Sequence, residues 1–387
     1  MDGQDDNRQP WLAEGRSGVR ITIAGGGTGG HLFPGIAIAE EFLARDGKNQ
    51  VLFVGTDRGI EKTVLPRLGL PLRTIPVEGI KGRGLAKTLK ALVKIPWGLA
   101  ASRKMVCEFG PDLVLGVGGY ASGPAVLAAQ LMGVPTAIAE QNAFPGLTNR
   151  LLGRIADRIF LAFAPPRQWF PTERIRVTGN PIRAAFLTKG TRDPDTEGLF
   201  TVLVFGGSQG AHAINRIAGE ALADLRPFRD RLRFIHQTGE KDREAVAETY
   251  RAQGFTAEVS AFILDMEQAY RRADLLVCRA GATSIAEITA AGKAAVLIPF
   301  PFAVNDHQTQ NARVLAEAGG AEMIAERDLT GPRLAALIQR LRDDPGALRK
   351  MEAAAAALGH PRAAKEIVDE CLTLIRVRRA GKRWRMR

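Results

Sequence analysis

Short apolar runs alternate with longer mixed stretches along most of the chain. VRITIAG from Val19, QVLFVG (50–55), DLVLGV (112–117), PTAIAE (135–140) and DRIFLA (157–162) are β-branched or apolar and of strand length. Between them lie stretches of helical character such as Pro34 to Arg45 and Leu85 to Cys107. Nearly continuous apolar strands separated by helices predict a parallel sheet covered on both faces. The rhythm then restarts with TVLVFGG (201–207), LRFIHQTG (232–239), TAEVSAF (256–262), DLLVC (274–278) and AAVLIPF (294–300). The fold class expected is therefore α/β, with two Rossmann-like parallel-sheet domains facing across a cleft, where open sheets of this kind place ligands at the carboxyl ends of their strands.

The polar, turn-rich stretch 184–199, containing TKGTRDPDTEG, reads as the linker. The organisation expected is a flexible extension (1–17), a first domain (18–183), the linker, a second domain (200–360), a helix (361–379) that packs back on the first domain, and a basic tail (380–387). One segment could mislead. Residues 113–139 carry no charge and are long enough to span a bilayer, but five glycines and two prolines interrupt them. They parse better as strand, glycine loop, helix and strand.

Composition narrows the class without naming a function. With 387 residues the chain suits two domains, and 45% hydrophobic with 24% charged residues excludes collagen, coiled coil and wholesale disorder. Cys107, Cys278 and Cys371 are far apart and form no CxxC pair, which disfavours a disulfide framework or a zinc site. Residues 1–17 are polar, contain Asp2, Asp5, Asp6 and Glu14, and lack the apolar stretch of a secretory signal. The net charge of +12 is localised: Lys81, Arg83, Lys87, Lys90, Lys94, Arg103 and Lys104 stand unopposed between residues 79 and 107, and 376–387 holds a second unopposed basic run. Such patches attract phosphates, of nucleic acid or of anionic lipid. The first also carries Leu85, Leu89, Leu92, Val93, Ile95, Trp97 and Leu99, the make-up of an interfacial helix, although a core-packed helix with a solvated lysine face would look similar.

Candidate chemistry lies at strand ends. GGGTGG (25–30) follows a strand, opens a helix and fits GxGxxG, a loop whose backbone can approach a diphosphate. Alone it is a weak signal, and Asp57 stands where a dinucleotide-binding domain places its ribose-binding acid. His31 follows the loop and suits a general base or a phosphate contact, a structural histidine being the plainer reading. Further glycine loops occur at LGVGGYASG (115–123) and GGSQG (206–210). In CRAGATSIAE (278–287) small residues can present amides and hydroxyls to a diphosphate, and Glu287 one turn on could accept two ribose hydroxyls or be a solvated helix glutamate. PFPFAVNDHQTQ (299–310), EQN (140–142) and GNPIR (179–183) are polar clusters at element ends suited to sugar hydroxyls.

These motifs, in this order and spacing from about Val19 to Ile375, resemble the MurG family of bacterial glycosyltransferases, family 28, which make lipid II. The resemblance implies the GT-B fold. It also implies inverting transfer of N-acetylglucosamine from UDP-N-acetylglucosamine to the 4-hydroxyl of the muramoyl sugar of undecaprenyl-diphosphate-linked lipid I. By motif, the donor would contact Thr28, Gly29, Gly30, Asn142, Arg183 and Ser208, with Ile263 meeting the uracil through its backbone. Ala282, Thr283, Ser284, Ile285, Ala286 and Glu287 would take diphosphate and ribose, and Gln308 the sugar hydroxyls. His31 would be the base, with binding of the lipid diphosphate as the other role open to it.

No cofactor or metal is expected. The only internal Asp-x-Asp, Asp193-Pro194-Asp195, falls in the linker, so helix amides and Arg183 would carry the leaving-group charge. The implied setting is the cytoplasmic face of the bacterial inner membrane, with an anionic lipid surface met by 79–107 and by the tail 376–387, and with cell-wall synthesis proteins as partners. Two other classes compete. An NAD-linked oxidoreductase using Gly25 to Gly30 and Asp57 leaves the second domain's motifs unexplained. A nucleic-acid-binding protein using the basic patches would need an aromatic-rich reading surface, and three tyrosines and four tryptophans offer little of one.

Overall fold

The computed structural model describes residues 18–57, 59–77, 84–163, 169–187, 198–207 and 210–385, without the side chains of 84–95, Val304 and 381–385. The extension 1–17, Ser208, residues 188–197 of the linker with Asp193-Pro194-Asp195, and the side chains of Lys81, Arg83, Lys87, Lys90 and Lys94 lie outside the described residues. The chain divides into two compact units. One comprises Met1–Gln141, Pro145–Pro181 and Arg362–Arg387, the other Asn142–Phe144 and Ile182–Pro361.

The first unit runs β1 (Arg20–Ala24), α1 (Gly29–Arg45), β2 (Gln50–Gly55), α2 (Glu61–Arg67), β3 (Leu72–Thr74), α3 (Gly84–Phe109), β4 (Leu113–Gly116), α4 (Ser122–Leu131), β5 (Thr136–Glu140), α5 (Leu147–Leu152), β6 (Arg158–Leu161) and β7 (Ile175–Val177). Its seven strands are ordered β3-β2-β1-β4-β5-β6-β7, and every neighbouring pair is parallel. Alternation along the strands feeds two cores. Ile21, Ile23, Phe53 and Leu115 enter one, while Leu52, Val54, Val114 and Ile138 enter the other. Helices cover both faces, so both sets of alternate side chains must be apolar, and this is why the strands read as unbroken hydrophobic runs. The uncharged run 113–139 resolves into β4, a glycine loop, α4 and the start of β5. Among the described residues no helix is long and apolar enough to cross a membrane.

The second unit repeats the plan with β8 (Phe200–Phe205), α6 (His212–Leu225), β9 (Leu232–Gln237), α7 (Arg243–Ala252), β10 (Thr256–Ser260), α8 (Met266–Arg272), β11 (Leu275–Cys278), α9 (Ala282–Ala291), β12 (Ala294–Leu297), α10 (His307–Glu317), β13 (Ala321–Met323), α11 (Gly331–Asp343) and α12 (Pro345–Ala357). Its six parallel strands are ordered β10-β9-β8-β11-β12-β13. In each unit the strand order reverses beside the first strand, between β1 and β4 and between β8 and β11. Each reversal leaves a crevice at the strands' carboxyl ends.

The last helix, α13 (Ala363–Arg385), belongs to the first unit. It buries Ile367, Val368, Cys371 and Ile375 in the core that also holds Ile36 and Phe42 of α1. Ion pairs line its course: Asp369 with Arg45 at 2.9 Å, Glu370 with Arg158 at 3.1 Å, Arg378 with Asp157 at 3.0 Å and Arg379 with Asp112 at 2.6 Å. The helix thus continues through Ala380–Arg385, the greater part of the segment read from sequence as a basic tail.

Candidate active site

In the first unit the candidate residues gather at the β1/β4 reversal. Thr28 is the extended residue that precedes α1, and Gly29, Gly30 and His31 form its first turn. The loop before them and the loop after β4 are in backbone contact. Gly119 has a positive φ of 82°, and a Cβ placed on it would lie 2.6 Å from the Gly26 carbonyl oxygen. Its neighbour Gly118, at φ 91°, faces the His31 ring so closely that a Cβ would stand 2.6 Å from Nδ1. Only glycine fits either position, on both backbone and spatial grounds.

His31 Nδ1 lies 3.1 Å from Oε1 of Gln141, which is buried at the end of β5. Gln141 Nε2 donates to the carbonyl oxygens of Val117 at 3.1 Å and Ala139 at 3.2 Å. His31 is half-buried, and its Nε2 has no partner among the described residues. Beneath the first loop lies Glu61, fully buried at the start of α2. Its Oε2 accepts from the Gly27 amide at 2.8 Å, and its Oε1 accepts from the Thr56 amide at 2.9 Å and hydroxyl at 3.1 Å. The Gly27 amide, which a dinucleotide diphosphate would need, is thus given to a protein carboxylate.

In the second unit α9 begins at the β11 end, with Gly281 as its extended first cap. Ala282, Thr283, Ser284, Ile285 and Ala286 make the opening turns, where the helix presents its positive end. Glu287 follows, half-buried, and Tyr270 donates to its Oε2 at 3.4 Å. Burial pushes the Glu287 carboxyl up to about 7, Glu267 adding to the effect while Arg183 and the Tyr270 hydroxyl oppose it. Arg183 pairs with Glu267 at 3.3 Å and lies over the Phe186 ring, whose edge meets Tyr270. The Arg183 guanidinium thus pairs with Glu267 and also stabilises the ionised Glu287 through space.

Three more of the expected residues fall in this unit. Gln308, in the first turn of α10, accepts from the Phe300 amide at 2.9 Å through Oε1, so its Nε2 is the group left to donate to a hydroxyl. It is set there by Asn305 and Asp306, two non-glycine residues at φ 56° and 52°. Arg279 braces the preceding turn: Nη1 donates to the Ile298 and Pro299 carbonyls, and Nη2 pairs with Glu326. Ile263 gives its amide to Gln237 Oε1 at 2.8 Å. Asn142 is tied in through Asn311, which also accepts from the Ala143 amide at 3.0 Å.

Thr28, Gly29, Gly30 and His31 therefore form one group in the first unit, and Asn142, Arg183, Ile263, Ala282 to Glu287 and Gln308 line the second. Sequence reading did not single out Glu61, Tyr270, Glu267 or Gln237, each of which acts on a site residue from another stretch of chain, and Arg279 and Asn311 stood inside or beside quoted motifs without a role. Gln141 stood inside a noted motif, but nothing local connects it to His31. Among the described residues no group of three or more His, Cys, Asp or Glu is arranged to hold a metal ion.

Comparison with known proteins matches the described architecture closely. Residues 21–161 match the glycosyltransferase family 28 N-terminal domain and residues 201–367 the glycosyltransferase family 28 C-terminal domain. A protein of Syntrophus aciditrophicus (strain SB), named UDP-N-acetylglucosamine–N-acetylmuramyl-(pentapeptide) pyrophosphoryl-undecaprenol N-acetylglucosamine transferase, is 60% identical over 359 residues, covering 93% of this chain and 99% of its own. A protein of the same name from Myxococcus xanthus (strain DK1622) is 52% identical over 357 residues, covering 92% and 93%. The crystal structure of Acinetobacter baumannii MurG superposes with a TM-score of 0.72 at 33% identity, covering 92% of this chain and 99% of that one.

Proposed function

The chain belongs to glycosyltransferase family 28 and has the GT-B fold, and from that premise we infer that it transfers N-acetylglucosamine from UDP-N-acetylglucosamine to the muramoyl sugar of lipid I, giving lipid II. The observation that carries this reading is near-complete coverage at 50–60% identity by relatives that bear one activity name. The peptidoglycan role follows from that activity.

In the mechanism we propose, the second unit holds the donor. The Ile263 carbonyl accepts from the uracil, and the Glu287 carboxylate accepts from the ribose hydroxyls. The opening turn of α9, residues Ala282 to Ala286, meets the diphosphate. Asn142, Ser208 and Gln308 complete the donor contacts in this unit, and Thr28, Gly29 and Gly30 are the first unit's residues expected to serve the donor. His31 Nε2 takes the proton of the acceptor 4-hydroxyl as that oxygen forms its bond to the anomeric carbon. The bond from that carbon to the diphosphate breaks, and UDP leaves with the electron pair. Attack opposite the leaving group inverts the centre to a β linkage, so one base suffices and no covalent nucleophile is needed. The α9 amides and Arg183 stabilise the departing charge without a metal.

The protein also binds anionic lipid on the cytoplasmic face of the inner membrane. Three neighbouring helices support this: α3 carries Lys87, Lys90, Lys94, Arg103 and Lys104 of the basic run and exposes Trp97, α4 exposes Leu131, and α5 exposes Leu147 and Leu151. Incubating the protein with radiolabelled UDP-N-acetylglucosamine and a lipid I analogue, with and without EDTA, tests the whole reading. A β-linked disaccharide lipid in both arms is the expected result. Product only without EDTA would overturn the metal-free mechanism, and donor binding without product would overturn the acceptor.

A further inference from the structure

We propose that Gln141 is a positioning residue that holds His31 as the Nδ1–H tautomer and so leaves the lone pair on Nε2 facing outward for the acceptor hydroxyl. The proposal rests on His31 being the base and adds how that base is made ready. The first step is the orientation of the amide. Gln141 is 1% exposed, and its Nε2 is the atom that faces two backbone carbonyls, Val117 O at 3.1 Å and Ala139 O at 3.2 Å. Both of its N–H groups are satisfied there. A flipped amide would press Oε1 against two carbonyl oxygens, each an acceptor only, and take the Gln141 donor away from both, although Ala139 O would keep its bond from Asn149 Nδ2 at 3.1 Å. The hydrogen-bond network therefore decides the orientation that coordinates alone leave open.

With the nitrogen so fixed, Oε1 faces His31 Nδ1 at 3.1 Å and can only accept. Nδ1 must then carry the proton, and in the neutral ring Nε2 is the basic atom. Gly118 lies against the Nδ1 and Cε1 side of the ring, where a Cβ would stand 2.6 Å from Nδ1 and 2.8 Å from Cε1, so the absence of a side chain there leaves room for the ring in this orientation. An amide differs from a carboxylate in this place: it orients the ring and accepts equally well from the imidazolium formed after proton transfer, yet sets no negative charge beside a site that receives a diphosphate-linked acceptor. The same reasoning accounts for the middle residue of the EQN motif, whose neighbours Glu140 and Asn142 point elsewhere: Glu140 accepts from the Gly146 amide, and Asn142 bonds Asn311.

The test has a structural and a kinetic arm, both on the full chain. In protein labelled with 15N-histidine, long-range 1H–15N correlation at neutral pH should show His31, identified by its loss in His31→Ala, as the Nδ1–H tautomer. The Nε2–H tautomer would overturn the proposal. Gln141→Met removes the acceptor and should lower kcat at least about tenfold with the donor KM unchanged. Gln141→Glu, with the one proton of its neutral carboxyl given to either the Val117 or the Ala139 carbonyl, keeps an oxygen opposite Nδ1 and should recover most of that loss. Equal loss in both variants would mean Gln141 only braces the fold and would sink the positioning role, as would full activity of Gln141→Met beside an inactive His31→Ala. Retained turnover in His31→Ala would instead remove the base itself.

Discussion

Glu287 meets a demand that its position makes costly. In the proposed donor site its carboxylate accepts from two ribose hydroxyls and works best ionised, yet burial lifts this carboxyl to about 7. Donor binding should therefore be linked to its ionisation: the donor KM is lowest above pH 7 and rises as pH falls through about 7, approaching tenfold per unit. Glu287→Gln should raise the donor KM and remove that pH dependence, as read from initial rates at varied UDP-N-acetylglucosamine. A pH profile unchanged by Glu287→Gln would place the titrating group elsewhere. Arg183 is what keeps the ionised form accessible, and because Glu267 competes for the same guanidinium at 3.3 Å, Glu267→Gln should lower the pH at which the donor KM begins to rise.

Elements in this chain are joined by buried polar devices with plain signatures in retrospect. The runs DLVLGV, DRIFLA and DLLVC each open with an aspartate, and each of these aspartates accepts from the first or second amide of a neighbouring strand: Asp112 from Arg20, Asp157 from Thr136 and Asp274 from Thr201, at 2.8–2.9 Å. In the second unit His236 of β9 is fully buried between the Tyr250 hydroxyl of α7 and the Asn215 amide oxygen of α6. Burial pushes its imidazole from 6.5 down to about 3. Between those values the unfolded chain binds a proton that the folded chain does not. Stability therefore rises with pH across that window and is lost as pH falls from about 6.5 toward 3, at up to about 1.4 kcal/mol per unit from this residue. Urea unfolding at pH 5 and 7 should show that slope, and His236→Gln should flatten it. At the same scale the sequence reading missed β3, β7 and β13. Each has three residues and lies toward a sheet edge, where one side lacks full cover and the apolar alternation that marks a buried strand has little reason to persist.

At the scale of the whole molecule the chain's end completes the unit that its beginning starts. Ile367 on α13 is fully buried in the first unit's core, so Ile367→Ala should lower stability by about 2–5 kcal/mol and lower the melting transition of that unit. An unchanged melting profile would mean that α13 adds nothing to the core. The basic patches separate by the same comparison. Arg378 and Arg379 in the second are engaged with Asp157 and Asp112, whereas the first falls on α3 beside exposed Trp97. Replacing Lys87, Lys90 and Lys94 by Glu should release the protein from anionic vesicles in a flotation assay while UDP binding is kept. Undiminished vesicle binding would move the membrane contact off α3.

The fold class, the doubling of the α/β unit and the glycine loops were legible in the sequence because each is a local matter: strand period, helix period and the backbone freedom of glycine act within a few residues. The motifs named His31 and Glu287 for the same reason, since both follow a loop they share a helix with. What those residues can do was decided only by tertiary structure. His31 and Gln141 are 110 positions apart and meet because β4 lies between β1 and β5, an order that no local pattern encodes. Glu61 reaches the first loop from α2, Arg183 acts on the charge of Glu287 from more than a hundred positions earlier in the chain, and Tyr270 donates to it from α8. Hydrogen bonds and charge interactions between distant stretches set tautomer, ionisation and aim. They depend on how the sheets stack those stretches together, and that arrangement exists only once both cores have packed.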